Sequence, residues 1–476
     1  MLKGIMSHRI PPSRQPRALR VFSAALLSVV LTALGARAQS AAAPALSAQA
    51  TSASIPVNIT LAEAIRRAQI NEPSFAAAKA NSASAALDRS IARAGLLPSV
   101  HYFNQGIYTQ PNGLYAEGGE GVLTPNPKFV ANDSRPREYI SQGVVDETLS
   151  LAGPAAVRRA DAAAAMARAQ LEIARRGLVV AVTGLFYSQL AAEHKQLAAE
   201  AAYKDAAHFT SITRDREKQG EAAHADVVKA ELTEQQQWRG MQDAKLAAET
   251  ARMNLAVLLF PDPLTPYSLK AGKAVAPLAS FANVEVAASN NNPELKSALA
   301  AVQVSNADVM AARAAYLPTL GLNFNYGIDA NEFAVNGPMT PSGVRAQNLG
   351  YSATATLNIP VWDWLSTQHK VKQSKIRRQV ARVALSATQR QLIAQLHTYY
   401  EAAQIAQSEL TSLDQSVTTA AESLRLAELR YKAGEALVLE VVDAQNAYVT
   451  AENAREDGRV RYQLALANLQ TLTGTM

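Results

Sequence analysis

The chain has 476 residues, no cysteine and a formal net charge of +6. That length exceeds one ordinary domain, and a chain without cysteine must rest on packing alone. The positive charge is concentrated at the start. Lys3, Arg9, Arg14, Arg17 and Arg20 precede the apolar run VFSAALLSVVLTALG, and Ala36-Arg37-Ala38 follows before Gln39. This pattern predicts a secretory signal peptide over 1–38, cleaved after Ala38. Taking its six basic residues from the 46 Lys and Arg leaves 40 against 40 Asp and Glu, so charge gives no argument for a nucleic-acid partner. No later apolar run reaches the length of a membrane-spanning helix, GLVVAVTGLF at 177–186 being the nearest. An exported chain of this kind is periplasmic, extracellular or an outer-membrane β-barrel.

After a linker over 39–59, Leu61 to Leu96 reads as one alanine-rich amphipathic helix. Thr60 with Glu63 three residues on is the capping-box pattern. Strands are predicted at 99–109 (SVHYFNQGIY and the next residue) and 139–151 (YISQGVVDETLSL), separated by a loop over 110–138. Asp146 and Glu147 are adjacent, so both cannot avoid lipid, and the second strand is expected to begin or end elsewhere. A helix without proline follows over 155–219, then a shorter one over 221–260. Residues 261–292 are proline-rich and read as a non-repeating linker.

The series then returns: a helix over 293–316, strands at 319–327 (TLGLNFNYG) and 350–361 (YSATATLNIPV from Tyr351), and helices over 368–432 and 435–472. In these strands Leu320, Leu322, Phe324 and Tyr326, and again Tyr351, Ala353, Ala355 and Leu357, fall on one face, opposite Asn323, Asn325, Ser352, Thr354 and Thr356. The register is explicit. Pro73, Ala92-Arg93-Ala94 and Leu97-Pro98 recur at an offset of 220 as Pro293, Ala312-Arg313-Ala314 and Leu317-Pro318. Gly220-Glu221, Val227-Val228 and Leu255 recur at an offset of 214 as Gly434-Glu435, Val441-Val442 and Leu469. The chain is read as a duplication, 60–260 and 293–476. Four strands cannot close a barrel; three copies would pool twelve.

The strand junctions at Pro98, Pro318 and Pro360, the IPVWDW segment, and RYKAGEALVLEVVDAQNAYVTAEN from Arg430 to Asn453 resemble the TolC-like outer-membrane efflux family. The resemblance covers roughly residues 55–474 and implies an α+β membrane protein. Its fold would be a trimeric 12-stranded β-barrel, four strands per protomer, continued by a periplasmic α-helical barrel with a mixed belt. The family serves as the exit duct of efflux pumps and of type I secretion systems. The implied partners are a second and third copy, a periplasmic adaptor, an inner-membrane pump and outer-membrane lipid. By the same resemblance, Asp226, Tyr431, Glu440 and Asp443 mark the periplasmic constriction. Glu440 and Asp443 share a helix face and Asp226 is the repeat equivalent of Glu440, although first-turn acids are also what the helix dipole favours. Gly220, Glu221, Gly434 and Glu435, within Gln219–Ala222 and Ala433–Ala436, mark the helix turns where an adaptor would dock. Two departures stand out: Trp364 occupies a position where many members have glycine, and Lys229 stands where the second repeat has Asp443. Trp362 and Trp364 are assigned to an interfacial belt or to the junction of barrel and helices.

An enzyme reading finds no support. The seven histidines are scattered, His194 and His208 read as helix-surface residues, and Gly118-Gly119-Glu120-Gly121 is too short for a phosphate loop. No catalytic residue, metal site or cofactor is predicted. The reading of another class is a non-conducting periplasmic or surface coiled-coil scaffold.

Overall fold

The computed structural model describes residues 57–108, 114–116, 123–125, 137–270, 278–339 and 341–474. The predicted signal peptide, almost all of the 39–59 linker and most of the first loop, with its Gly118–Gly121 run, lie outside the described residues.

Strand β1 (Val57–Ile59) leads into helix α1 (Leu61–Asn71), and helix α2 (Pro73–Ala94) follows at once. The single helix expected over 61–96 is therefore two. Proline disfavours helical backbone at the residue before it, so Glu72 is extended at φ −79°, ψ 119°. Pro73 then opens α2 at a position where its missing amide costs nothing, and the Glu72 carboxylate accepts from the Phe75 amide at 2.6 Å. The capping box at Thr60 is half made. Thr60 Oγ1 accepts from the Glu63 amide at 3.4 Å, but the Glu63 carboxylate turns to Arg66 and Arg67 at 2.7–2.8 Å.

Leu97-Pro98 feeds β2 (Ser99–Tyr108); β3 (Leu114–Ala116) and β4 (Leu123–Pro125) pair as a small hairpin, and β5 (Arg137–Leu149) follows. Helix α3 (Ala152–Lys218) has 67 residues and α4 (His224–Leu259) has 36. At 1.5 Å per residue α3 is about 100 Å long. Strand β6 (Tyr267–Leu269) returns to pair in parallel with β1. The segment read as a non-repeating linker also holds helix α5 (Phe281–Asn291). Its 11 residues stand at the same offset of 220 from α1, and its buried Val284 and Ala288 match the buried Ala64 and Ala68. The second copy thus starts before Pro293.

Then come α6 (Pro293–Ala314), β7 (Thr319–Ala330), the short β8 (Asn336–Met339) and β9 (Arg345–Gln347), β10 (Leu349–Asn358), α7 (Ser366–Lys432) and α8 (Val438–Thr473). Helix lengths match across the halves: 22 residues for α2 and α6, 67 for α3 and α7, 36 for α4 and α8.

The four long strands form one antiparallel sheet in the order β10–β7–β5–β2. Opposed residues in antiparallel strands share a face. Val100 opposes Val145, Val145 opposes Phe324 and Phe324 opposes Ala353, so one face is apolar and carries Tyr102, Leu322, Tyr326, Tyr351 and Leu357. The other carries His101, Gln142, Asp146, Asn323, Asn325, Ser352 and Thr354; the sorting is cleanest in β7 and β10, since Phe103, Ile140 and Val144 share this polar face and Asn104 and Ser141 the apolar one. Asp146 and Glu147 divide between them. Asp146 accepts from Asn323 Nδ2 at 2.5 Å and lies 3.4 Å from His101. Glu147 sits opposite Leu322 on the apolar face, two residues before β5 ends at Leu149. The strand also begins two residues earlier than the sequence pattern indicates. The outer edges of β2 and β10 have no partner strand among the described residues.

Each strand hands its position to a helix. Helices α2, α3, α6 and α7 pack side by side in the order of β2, β5, β7 and β10. Further down, α4 and α8 take over from α2 and α6, and the order becomes α4–α3–α8–α7. Buried alanines such as Ala155, Ala162, Ala164 and Ala169 keep α3 close to its neighbours.

A belt of β1, β6, α1 and α5 packs on this wall. Ile59, Phe186, Val182, Leu255, Leu259 and Tyr267 form its first core, and Val284, Ala288, Leu392, Leu396, Leu469 and Leu472 its second. Between them Arg176 is only 7 % exposed. It donates to Glu172 at 2.7 Å, to the Thr471 carbonyl at 2.5 Å and to the Asn291 carbonyl at 3.2 Å, tying α3 to the ends of α5 and α8. Hydrogen bonds from Arg175 and then Arg176 pull the Glu172 carboxyl down to about 2.

Candidate functional site

The two long helices end in the same way. Gly220 has φ +77° and Gly434 φ +78°, in the left-handed region where a side chain is strained. Glu221 N donates to Arg216 O and Gly220 N to Glu217 O, both at 2.8 Å. Glu435 N donates to Arg430 O at 2.8 Å and Gly434 N to Tyr431 O at 3.0 Å. This six-to-one and five-to-two pairing is the Schellman ending, which satisfies carbonyls left over at a helix C-terminus. Glu221 and Glu435 are exposed at the turn tips.

Tyr431 is buried between the helix pairs, 5 % exposed. Its ring lies 4.9 Å from Phe209 of α3, and its hydroxyl donates to Thr213 Oγ1 at 3.2 Å. The Arg216 guanidinium stands 5.0 Å from the ring centroid and donates to the Tyr431 carbonyl at 2.7 Å. Val438, Val441 and Val442 of α8 complete this core, with Ala230 of α4. Tyr431 therefore fastens the end of α7 to the end of α3 within one copy.

Glu440 and Asp443 turn away from that core. Glu440 pairs with Arg430 at 3.0 Å, and Arg430 also donates to the Glu435 carbonyl at 3.2 Å. Asp443 is exposed with no side-chain partner among the described residues, as is its repeat equivalent Lys229. Asp226 stands in the first turn of α4, half-buried and also unpaired. The structure thus groups Tyr431 with residues of α3. Glu440 and Glu435 are linked through Arg430, while Asp226 stays on the other helix pair.

Sequence reasoning missed Arg216, Thr213 and Phe209. A signal existed for Arg216, since it stands at the offset of 214 from Arg430, four residues before each turn glycine. Nothing local marked its carbonyl partner, 215 residues away.

At the opposite end, Pro98 and Pro318 directly precede β2 and β7, and Pro360 lies two residues beyond β10. Trp364 (φ 55°) and Leu365 (φ 64°) both adopt left-handed backbone. That geometry favours glycine and fits the departure noted at Trp364. Asp363 secures the start of α7 by accepting from the Thr367 amide at 2.7 Å, and contacts with Thr367 hold its carboxyl below the usual range. Trp362 and Trp364 meet edge to face at 5.8 Å and are 66 % and 84 % exposed.

Among the described residues no group of three or more His, Asp or Glu could hold a metal ion, and no helix is long and apolar enough to cross a membrane.

A four-stranded sheet with sorted faces, standing on a wall of 67-residue helices, is the fold of outer-membrane channels. The outer membrane channel CmeC of Campylobacter jejuni superposes with a TM-score of 0.73 over 89 % of this chain and 90 % of its own, at 16 % identity. A membrane protein from Pseudomonas aeruginosa gives 0.72 over 91 % and 95 %, at 21 % identity. Residues 286–475 match the family model described as outer membrane efflux protein. Outer membrane protein OprJ of Pseudomonas aeruginosa is 27 % identical over 37 % of this chain. The matching stretch spans 36 % of OprJ's own length. Over residues 286–475 the chain is similar to the outer membrane efflux proteins, and over most of its length it shares the fold of solved outer-membrane channels. OprJ and CmeC are both named as outer-membrane proteins.

Proposed function

We propose that the protein is the exit duct of a tripartite efflux pump, carrying small molecules through the periplasmic space and the outer membrane. Three copies close one 12-stranded barrel with a helical tunnel beneath it. The observation that carries this reading is the sheet: a mainly apolar face, a mainly polar face and two edges unpaired among the described residues. An open edge in lipid leaves backbone groups unsatisfied at several kcal/mol each. Joining β10 of one copy to β2 of the next removes every edge. The edge helices support the same closure. Ile376, Val380 and Val383 on α7, and Leu87 and Ile91 on α2, are each 57–67 % exposed and would be covered by a neighbour.

In this assembly the apolar face meets lipid, and His101, Asn323 and Thr354 line an aqueous lumen. Glu440 and Asp443 form rings of three carboxylates at the narrow end, which favours cations. Tyr431 and Arg216 hold that end closed. Opening releases α7–α8 from α3. The exposed turns Gln219–Ala222 and Ala433–Ala436 receive the adaptor. A type I secretion duct uses the same parts; the alternative scaffold leaves the sorted sheet without a purpose.

The native chain has no cysteine, so a cysteine pair introduced across β2 and β10 reports closure directly. Oxidation should give covalent trimers. A series of pairs along both strands that yields only monomers would overturn the barrel.

A further inference from the structure

We propose that the cleft between the end of α6 and the start of α7 binds the headgroup of an anionic glycerophospholipid at the periplasmic rim of the barrel. The proposal rests on reading the four strands as barrel strands. The cleft encloses about 660 Å³ and is lined by Leu151, Arg313, Tyr316, Leu317, Lys372 and Lys375. The Arg313, Lys372 and Lys375 side chains make no hydrogen bond or ion pair with any described residue. Three unpaired cations around one cavity repel one another until an anion enters.

Helix energetics do not account for them. The start of α7 carries Lys370, Lys372, Lys375, Arg377, Arg378 and Arg382, with no Asp or Glu from Ser366 to Tyr400. None of them lies in the first turn, Ser366 to His369, so no contact with the helix end explains the run.

The first repeat is an internal control. Arg93 stands at the position of Arg313, Arg158 at that of Lys372, and Asp161 at that of Lys375. There Asp161 accepts from Arg89 at 2.5 Å and from Arg93 at 3.4 Å, so a carboxylate of the chain itself stands between two of the cations. In the second repeat the acid is replaced by lysine, and the anion must come from outside.

Position identifies the anion. Lys375 lies 22 residues before His397 and 25 before Tyr400, close to six and seven whole turns at 3.6 residues per turn. Phe281 of the belt packs on both of those rings, at 4.8 and 5.2 Å. The cleft therefore opens on the belt side of the wall, which is the outside of a tunnel. In height it sits where β7 begins at Thr319 and α7 begins at Ser366, the level of the inner-leaflet headgroups. Tyr316 and Leu317, half exposed beside the cations, face the start of the acyl chains, and tyrosine is at home at that depth. Basic pockets of this kind hold anionic headgroups.

The test is native mass spectrometry of the full-length protein in non-ionic detergent, titrated separately with phosphatidylglycerol, phosphatidylethanolamine and inorganic phosphate. Wild type and the Lys372→Arg/Lys375→Arg variant should bind phosphatidylglycerol saturably. Lys375→Asp, which places a carboxylate beside Arg313 as Asp161 stands beside Arg93, and Lys372→Gln/Lys375→Asp should bind it roughly tenfold or more weakly. Phosphatidylethanolamine should not separate the variants. Equal phosphatidylglycerol binding by wild type and both weakened variants would overturn the proposal. So would displacement of the lipid by inorganic phosphate, which would make this a free-anion site. Conductance of the same variants is read in parallel, so a failed channel reading is distinguished from a failed lipid site.

Discussion

The turn after α3 and the turn after α7 share a backbone and differ in what they do with it. Both use a left-handed glycine and the same pair of hydrogen bonds. The first turn then offers Arg216 to the other half, while the second offers Tyr431 to receive it and leaves Asp443 free. The position of Asp443 is lysine in the first repeat, and the position of Lys375 is aspartate there. Duplication fixed the lengths and the turns, which depend on backbone geometry. Charge depends only on side chains at the wall's surface, and there the two halves have become complementary rather than equal.

Breaking the link between the halves should give the largest effect. Arg176→Ala removes a buried cation that joins α3, α5 and α8, and should destabilise the protein by about 3–5 kcal/mol in denaturant unfolding. A loss below about 1 kcal/mol would mean the belt is held by its apolar cores alone. Tyr431→Ala should cost about 3–5 kcal/mol at the periplasmic end, and Tyr431→Phe about 1 kcal/mol, because only the bond to Thr213 is lost. Comparable losses for the two would show that the ring packing against Phe209 contributes little.

The shared turn geometry yields a smaller, sharper test. Gly220→Ala and Gly434→Ala should each cost about 1–2 kcal/mol in unfolding, and by similar amounts. A cost at one turn alone would mean their backbones are not equivalent in solution.

The smallest effect is on pH dependence. The folded Glu172 carboxyl is held at about 2, below its ordinary value of 4.5. Its contribution is present above the unfolded value and fades as pH falls from about 5 towards 2. Glu172→Gln should therefore flatten that part of the stability–pH curve while leaving its shape above pH 6 unchanged. An unaltered acid limb would place the titration elsewhere.

Much of this fold was legible in the sequence, for physical reasons. TLGLNFNYG alternates because a strand must present one face to each environment, and a 67-residue helix with no proline beyond its first turn leaves a long uninterrupted pattern. Helix α5 was hidden because FANVEVAASNN shares little with LAEAIRRAQIN beyond the small buried positions. The break at Glu72 was signalled by Pro73 and overridden by the run of alanine around it. At the candidate site, the turn glycines were legible from the repeat register, while Tyr431 was named only through the family resemblance. Arg216 was not, since its role is set by a carbonyl brought near only by tertiary packing. The exchange of Asp161 for Lys375 was visible in the register but acquired meaning only when the cleft beside it was seen.

The most direct test of the central claim is single-channel conductance of the purified protein in a planar bilayer, beside the Glu440→Ala/Asp443→Ala variant. Small, cation-selective openings that grow and lose selectivity in the variant are the predicted result. Openings identical in both proteins would contradict the carboxylate rings, and a correctly folded protein that passes no current in either form would contradict the channel itself.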